Sequence, residues 1–129
     1  MAIRIVRLGA PREPGEGPRF ATVRRPPRGV RKEDYARLDY FDLWLPDLAP
    51  SPPLLSYAKS QPLTPARWQN FARRYRSEMR KPAARRLLGM LVALSVQANF
   101  SVGCYCAHES SCHRSLLRKL LVEAGATVL

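Results

Sequence analysis

Residues 99–125, NFSVGCYCAHESSCHRSLLRKLLVEAG, decide how the chain reads. The first eight, Asn99 to Cys106, are rich in β-forming side chains, follow no helical period and enclose a glycine, which is the pattern of a buried strand. Further on, Leu116, Leu117, Leu120 and Leu121 share one helical face and Gly125 stands where a helix terminates. The spacing predicts a helix from about Cys112 to Ala124 with Ser110 or Ser111 as its N-cap. A strand that runs through a short polar loop into an amphipathic helix is the repeating unit of α/β domains.

The rest of the chain agrees with that unit. Residues 2–8 (AIRIVRL) and 20–24 (FATVR) read as strands separated by the turn-rich loop PREPGEGPR, and a third strand is expected around Tyr40 to Leu45. Three helices are expected next: 52–59 with proline in its first turn, 65–79 with Thr64 as N-cap and Pro65 as first residue, and one from Pro82 to about Ala98. In the second of these, Trp68, Phe71, Tyr75 and Met79 define an apolar face, while Arg73, Arg76 and Arg80 form a basic stripe. The last of the three is apolar on most sides and is expected to pack between other elements. ATVL at the end suggests one more strand fragment. Strands on either side of a helical block imply an α/β fold with a small, mainly parallel or mixed sheet, and 129 residues suit one domain spanning 1–129.

Charge narrows the function classes. The chain holds 22 Lys plus Arg against 10 Asp plus Glu, a net +12, and arginine outnumbers lysine 18 to 4. Residues 49–129 contribute +9 of this total. Such a field draws polyanions through phosphate contacts, so a phosphate-bearing small molecule or a nucleic acid is the expected partner. The longest apolar run, 87–96, is about half the roughly 20 residues that a membrane span needs. No membrane partner is expected, and the start of the chain lacks a secretory pattern. Three cysteines leave one unpaired in any disulfide scheme, which suits a reducing, cytoplasmic setting.

All three cysteines and both histidines fall in residues 104–113, at the expected carboxyl end of a strand, where ligands of open α/β sheets bind. Three readings compete there. In the first, the amides of the helix's first turn, with Cys112, His113, Arg114 and the hydroxyl of Ser111, receive an anion; cationic side chains in a first turn oppose the helix dipole unless something negative offsets them. In the second, Cys106 or Cys112 supplies a reactive thiolate, with His113 as a further catalytic candidate, or the two cysteines form a redox pair. In the third, Cys104, Cys106, Cys112 and either His108 or His113 hold zinc. Against zinc, Cys-x-Cys on a regular strand separates the two side chains by about 7 Å. No cofactor is therefore expected from spacing. Against phosphatase chemistry, the sixth residue after Cys106 is Cys112, and Arg114 comes eighth. On another loop, RPPRG places Arg25 and Arg28 as possible ligand contacts, whereas Asp39, Asp42 and Asp47 are expected to be solvated or ion-paired.

RGVRKEDY at 28–35, WLPDLAPS at 44–51, RWQNFARRYRSEM at 67–79 and CYCAHESSCHRSLL at 104–117 together resemble the bacterial and archaeal domain of unknown function numbered 488. The likeness runs from about Ile3 to Gly125. It implies a compact three-layer, Rossmann-like α/β fold and a cytosolic protein, and it supplies no reaction. Position by position, the family's motifs fall on Arg28 and Gly29, on Ala49, Pro50 and Ser51, on Arg74 and Tyr75, and on Cys112, His113 and Arg114. Many relatives have Asp-Arg-x-Trp-Pro-Arg-Gly before the first of these. Here VRRPPRG lacks the Asp and the Trp. The helix bearing Arg73, Arg74 and Arg76, together with Arg28, would wall the site.

Overall fold

The computed structural model describes residues 1–129. Four strands form one sheet: β1 (Ile3–Arg7), β2 (Arg19–Ala21), β3 (Leu43–Trp44) and β4 (Phe100–Cys104). Their order is β1-β4-β2-β3 and every pairing is parallel. β4 is central, buried at all five residues, which is why it reads as a continuous rather than an alternating run. It ends at Cys104, two residues before the sequence suggests, because Arg7 of β1 is the last residue it pairs with and the chain bends at Tyr105. The expected third strand shrinks to two residues, since its neighbour β2 is only three residues long. The terminal fragment makes a single parallel bridge, Val128 to Ile3.

The helices α1 (Pro52–Ser60), α2 (Pro65–Met79), α3 (Pro82–Leu94) and α4 (His113–Glu123) follow local signals closely. The Ser51 hydroxyl accepts the Leu54 amide and that of Thr64 accepts the Arg67 amide, each satisfying one orphan donor of the first turn. α3 departs from expectation in two ways. It stops at Leu94, where the Ser95 hydroxyl donates to the Val92 carbonyl, and it buries only Ala84 and Leu91 while Met90 stays 57% exposed. It therefore lies on the outside of the molecule.

All four helices pack on one face of the sheet, where Ile3, Phe20, Phe100 and Val102 meet Leu54, Phe71, Tyr75, Leu91, Leu117 and Leu121. The Phe20 and Phe100 rings, 5.3 Å apart, add about 1 kcal/mol beyond their burial. The expected three-layer arrangement is not seen, since the opposite face of the sheet carries no α-helix. Behind the sheet, Arg19 and Glu16 form a fully buried ion pair that also receives the Ser101 hydroxyl at 2.7 Å. Gly17 makes this possible: it has φ 80°, and a Cβ there would lie 2.0 Å from the Asn99 carbonyl oxygen. A second, smaller apolar group, Leu8, Ala21, Val23, Phe41, Cys104 and Cys112, closes the carboxyl end of the sheet. No helix is long and apolar enough to cross a membrane.

Candidate functional site

At the carboxyl edge the three cysteines converge. Cys104 closes β4, Cys106 follows the bend, and Cys112 is the N-cap of α4 after a 3-10 turn at Glu109–Ser111. The cap is thus Cys112, with no side-chain cap bond, rather than Ser110 or Ser111. All three sulfurs lie within 4.8 Å of one another, and those of Cys104 and Cys106 are 3.7 Å apart. The 7 Å separation expected of a strand is overturned because residue 105 lies in the bend. With metal–sulfur bonds of about 2.3 Å, a tetrahedral site spaces its sulfurs by about 3.8 Å. These three cysteines are therefore close enough to hold a metal ion together, and His108, an exposed residue, is not part of the group.

Burial separates the three thiols: Cys104 and Cys112 are buried and Cys106 is exposed. Cys104 donates its S–H to Cys106. That hydrogen bond first, then one with Cys112 and the positive charge of Arg114, hold the Cys106 thiol well below its ordinary value, against the effect of burial. Cys104, the donor, is pushed far up. Cys112 is lowered, chiefly by its hydrogen bond with Cys104 and further by His113. Negative charge in the cluster thus settles on the thiol that faces solvent.

His113 and Arg114 occupy the first turn of α4, as expected, but neither side chain lies free. The His113 ring is buried, with Nε2 2.8 Å from the Thr22 carbonyl oxygen and 3.2 Å from the Thr22 hydroxyl, which itself donates to the Gly103 carbonyl. A carbonyl can only accept, so Nε2 bears the proton. Nδ1 faces the Cys112 sulfur at 3.7 Å. Tyr75 packs its ring against the imidazole at 5.5 Å and donates its hydroxyl to the Leu48 carbonyl. Arg114 is 4% exposed, donates to the Cys106 carbonyl at 2.7 Å and has a buried Nε with no partner. Its charge meets no carboxylate: Glu109, the nearby candidate, pairs with Arg118 instead. The backbone amides of His113 and Arg114 form no hydrogen bond within the chain.

The other expected contacts are distributed around the molecule. Ser111 is exposed and donates its hydroxyl to the His108 carbonyl at 3.4 Å. Arg28 is exposed on its loop, and that loop reaches the site through the Arg25 carbonyl, which accepts the Tyr105 hydroxyl at 3.1 Å. The wall expected from α2 is otherwise engaged: Arg74 lies over the Tyr57 ring, Arg76 pairs with Glu123 and Arg73 donates to Asn70. Asp39 and Asp42 pair with Arg12, in keeping with the ion-paired role expected of them. A cavity of about 300 Å³ beside β1 and one of about 160 Å³ beside Ser51 and Glu78 lie away from Cys112, His113 and Arg114, none of which lines either. Thr22, just past the end of β2, is missed by the sequence because nothing local marks this threonine as a site residue.

Comparison with known proteins places this arrangement in a family. The chain is 31% identical over 123 residues to the uncharacterized proteins Mb3100c of Mycobacterium bovis and Rv3073c of Mycobacterium tuberculosis, with 92% of each chain covered. No solved structure matches it. Residues 3–125 match the family described as the active DUF488-N3 subclade. Since that match takes in the sheet, all four helices and the whole sulfur cluster, the chain belongs to the DUF488 family.

Proposed function

We propose that the protein is a cysteine-dependent enzyme or redox protein in which Cys106 presents a thiolate at the carboxyl edge of the sheet. The observation that supports this is Arg114, a buried cation that no carboxylate neutralises and whose one hydrogen bond goes to the backbone of Cys106. A buried charge needs a counter-charge, and the sulfur beside it is the group able to provide one. The family's description as an active subclade accords with such a role. Three unpaired thiols suit a reducing, cytosolic setting. The test is alkylation of the folded protein with iodoacetamide at pH 7, followed by peptide mapping. Cys106 is expected to react first and faster than a free cysteine; a rate no greater than that of a free thiol would refute the reading.

A second reading, binding of a phosphate-bearing nucleotide or nucleic acid, is favoured by the two unengaged amides at the start of α4 and by the net charge of +12. In it the amides of His113 and Arg114 receive the anion and the exposed Arg28 loop approaches it. Titration with nucleotides and oligonucleotides at two salt concentrations checks it, a salt-independent or absent signal counting against. Zinc, if supplied, would be taken up by Cys104, Cys106 and Cys112, and would slow alkylation of Cys106.

A further inference from the structure

A lone nucleophile has no use for two more sulfurs within 4.8 Å, and those of Cys104 and Cys112 are held differently. Cys104 points its S–H at Cys106 and touches no base. Cys112 has the Nδ1 of His113 at 3.7 Å, and the opposite nitrogen of that ring is anchored by its N–H to the Thr22 carbonyl at 2.8 Å. That anchoring keeps one tautomer in place and lets the ring take a second proton while its first remains hydrogen-bonded. Cys112 also caps α4, where the helix's amino end favours a thiolate.

We propose that Cys112 is the resolving cysteine for Cys106, that His113 is the base for Cys112, and that the substrate class is a disulfide. This rests on the reading of Cys106 as the attacking thiolate. In the first step the Cys106 sulfur attacks one sulfur of a disulfide RS–SR; the Cys106–SR bond forms, the S–S bond breaks and RS⁻ leaves to take a proton from solvent. In the second, Cys112 gives its S–H proton to His113 Nδ1 as its sulfur attacks that of Cys106. The Cys106–Cys112 disulfide forms, and the second RS⁻ leaves and takes the proton from the imidazolium. One disulfide is reduced to two thiols while two protein thiols are oxidised, a balanced two-electron exchange. Cys104 supplies a hydrogen bond to the attacking sulfur and keeps its proton throughout.

The test uses the full chain and one equivalent of 4,4′-dithiodipyridine, whose released thiopyridone is counted optically. Wild type is expected to release two thiopyridones for each reagent molecule consumed, with peptide mapping finding Cys106 joined to Cys112. Cys112→Ser should release one and keep the pyridylthio adduct on Cys106, whereas Cys104→Ser, whatever its rate, should still release two and form the same Cys106–Cys112 bridge. His113→Gln should slow the second release by about tenfold or more and leave the first unchanged; equal slowing of both would reduce His113 to a structural part. A Cys104–Cys106 bridge in wild type, or full release from Cys112→Ser, would overturn the assignment of Cys112 alone. Unchanged first release from Cys106→Ser would overturn the Cys106 reading itself, so the two failures are distinguishable. The wild-type mapping requires no variant to fold.

Discussion

Arg19 and Arg114 are 1% and 4% exposed, and each stands beside the central strand. Arg19, behind the sheet, is matched bond for bond: Nε and Nη2 take the two oxygens of Glu16, and Nη1 takes the carbonyls of Ala10 and Asp39 at 2.8 and 2.6 Å. Arg114, at the carboxyl edge, has one carbonyl and an orphaned Nε. The chain has the means to neutralise a buried guanidinium and uses them on one side of the sheet. On the other it leaves the charge to act on sulfur. The first arginine is therefore a structural part, the second a source of field, and each variant below separates those roles.

The largest effect is expected at the matched arginine. Arg19→Met leaves Glu16 buried without its partner, a change that costs about 3–5 kcal/mol. Urea unfolding should show this loss, and Glu16→Leu added to it should recover most of it, because the stranded charge is removed. Cys106 alkylation should keep its wild-type rate in the folded fraction.

The same pair sets the acid limit. Burial alone would raise the Glu16 carboxyl, but hydrogen bonds from Arg19 and Ser101 outweigh it and lower the group to about 2. A depressed carboxyl contributes stability that is complete above its unfolded value and is lost as pH falls through the folded one. Stability should thus decline between roughly pH 4.5 and 2, by on the order of 3 kcal/mol. Glu16→Gln should flatten that part of a stability-against-pH curve; an unchanged slope would place the acid sensitivity elsewhere.

How much of this contrast the sequence discloses follows from how local each part is. The starts of α1 and α2 are legible to the residue because a cap and a proline, Ser51 with Pro52 and Thr64 with Pro65, stand side by side in the chain, while α1 runs one residue past its expected end. The parallel sheet is legible from the strand–loop–helix unit at 99–125, and so is the place of the site at its edge. The sulfur geometry is not, since it depends on a bend at Tyr105 that no glycine or proline announces. PREPGEGPR reads as a turn, yet it carries both halves of the buried ion pair, whose partner Ser101 is 85 residues away. Arg114 without a carboxylate is legible only as a conflict with the helix dipole. That Arg118 takes Glu109 is decided by the 3-10 turn.

Arg114→Met should move stability little, by roughly 1 kcal/mol in either direction, because it removes one hydrogen bond and an unpaired buried charge together. Its signature lies in reactivity. Without the guanidinium the Cys106 thiol rises from about 3, so the acid limb of its alkylation profile should shift upward. An unshifted profile would make Arg114 a second structural arginine and end the contrast.

Arg118→Ala is the smallest change and the control for the rest. It removes one positive charge from the same helix, as Arg114→Met does, so any effect of net charge alone is common to both. Arg118 and Glu109 are each about one-third exposed, and a pair in that setting contributes under about 1 kcal/mol. The turn it braces has a second tie, the Cys112 amide on the Glu109 carbonyl at 3.0 Å, so the sulfurs should keep their places. Alkylation of Cys106 should therefore follow the wild-type pH profile, and a shift as large as that of Arg114→Met would mean that the field at the sulfur belongs to the helix as a whole.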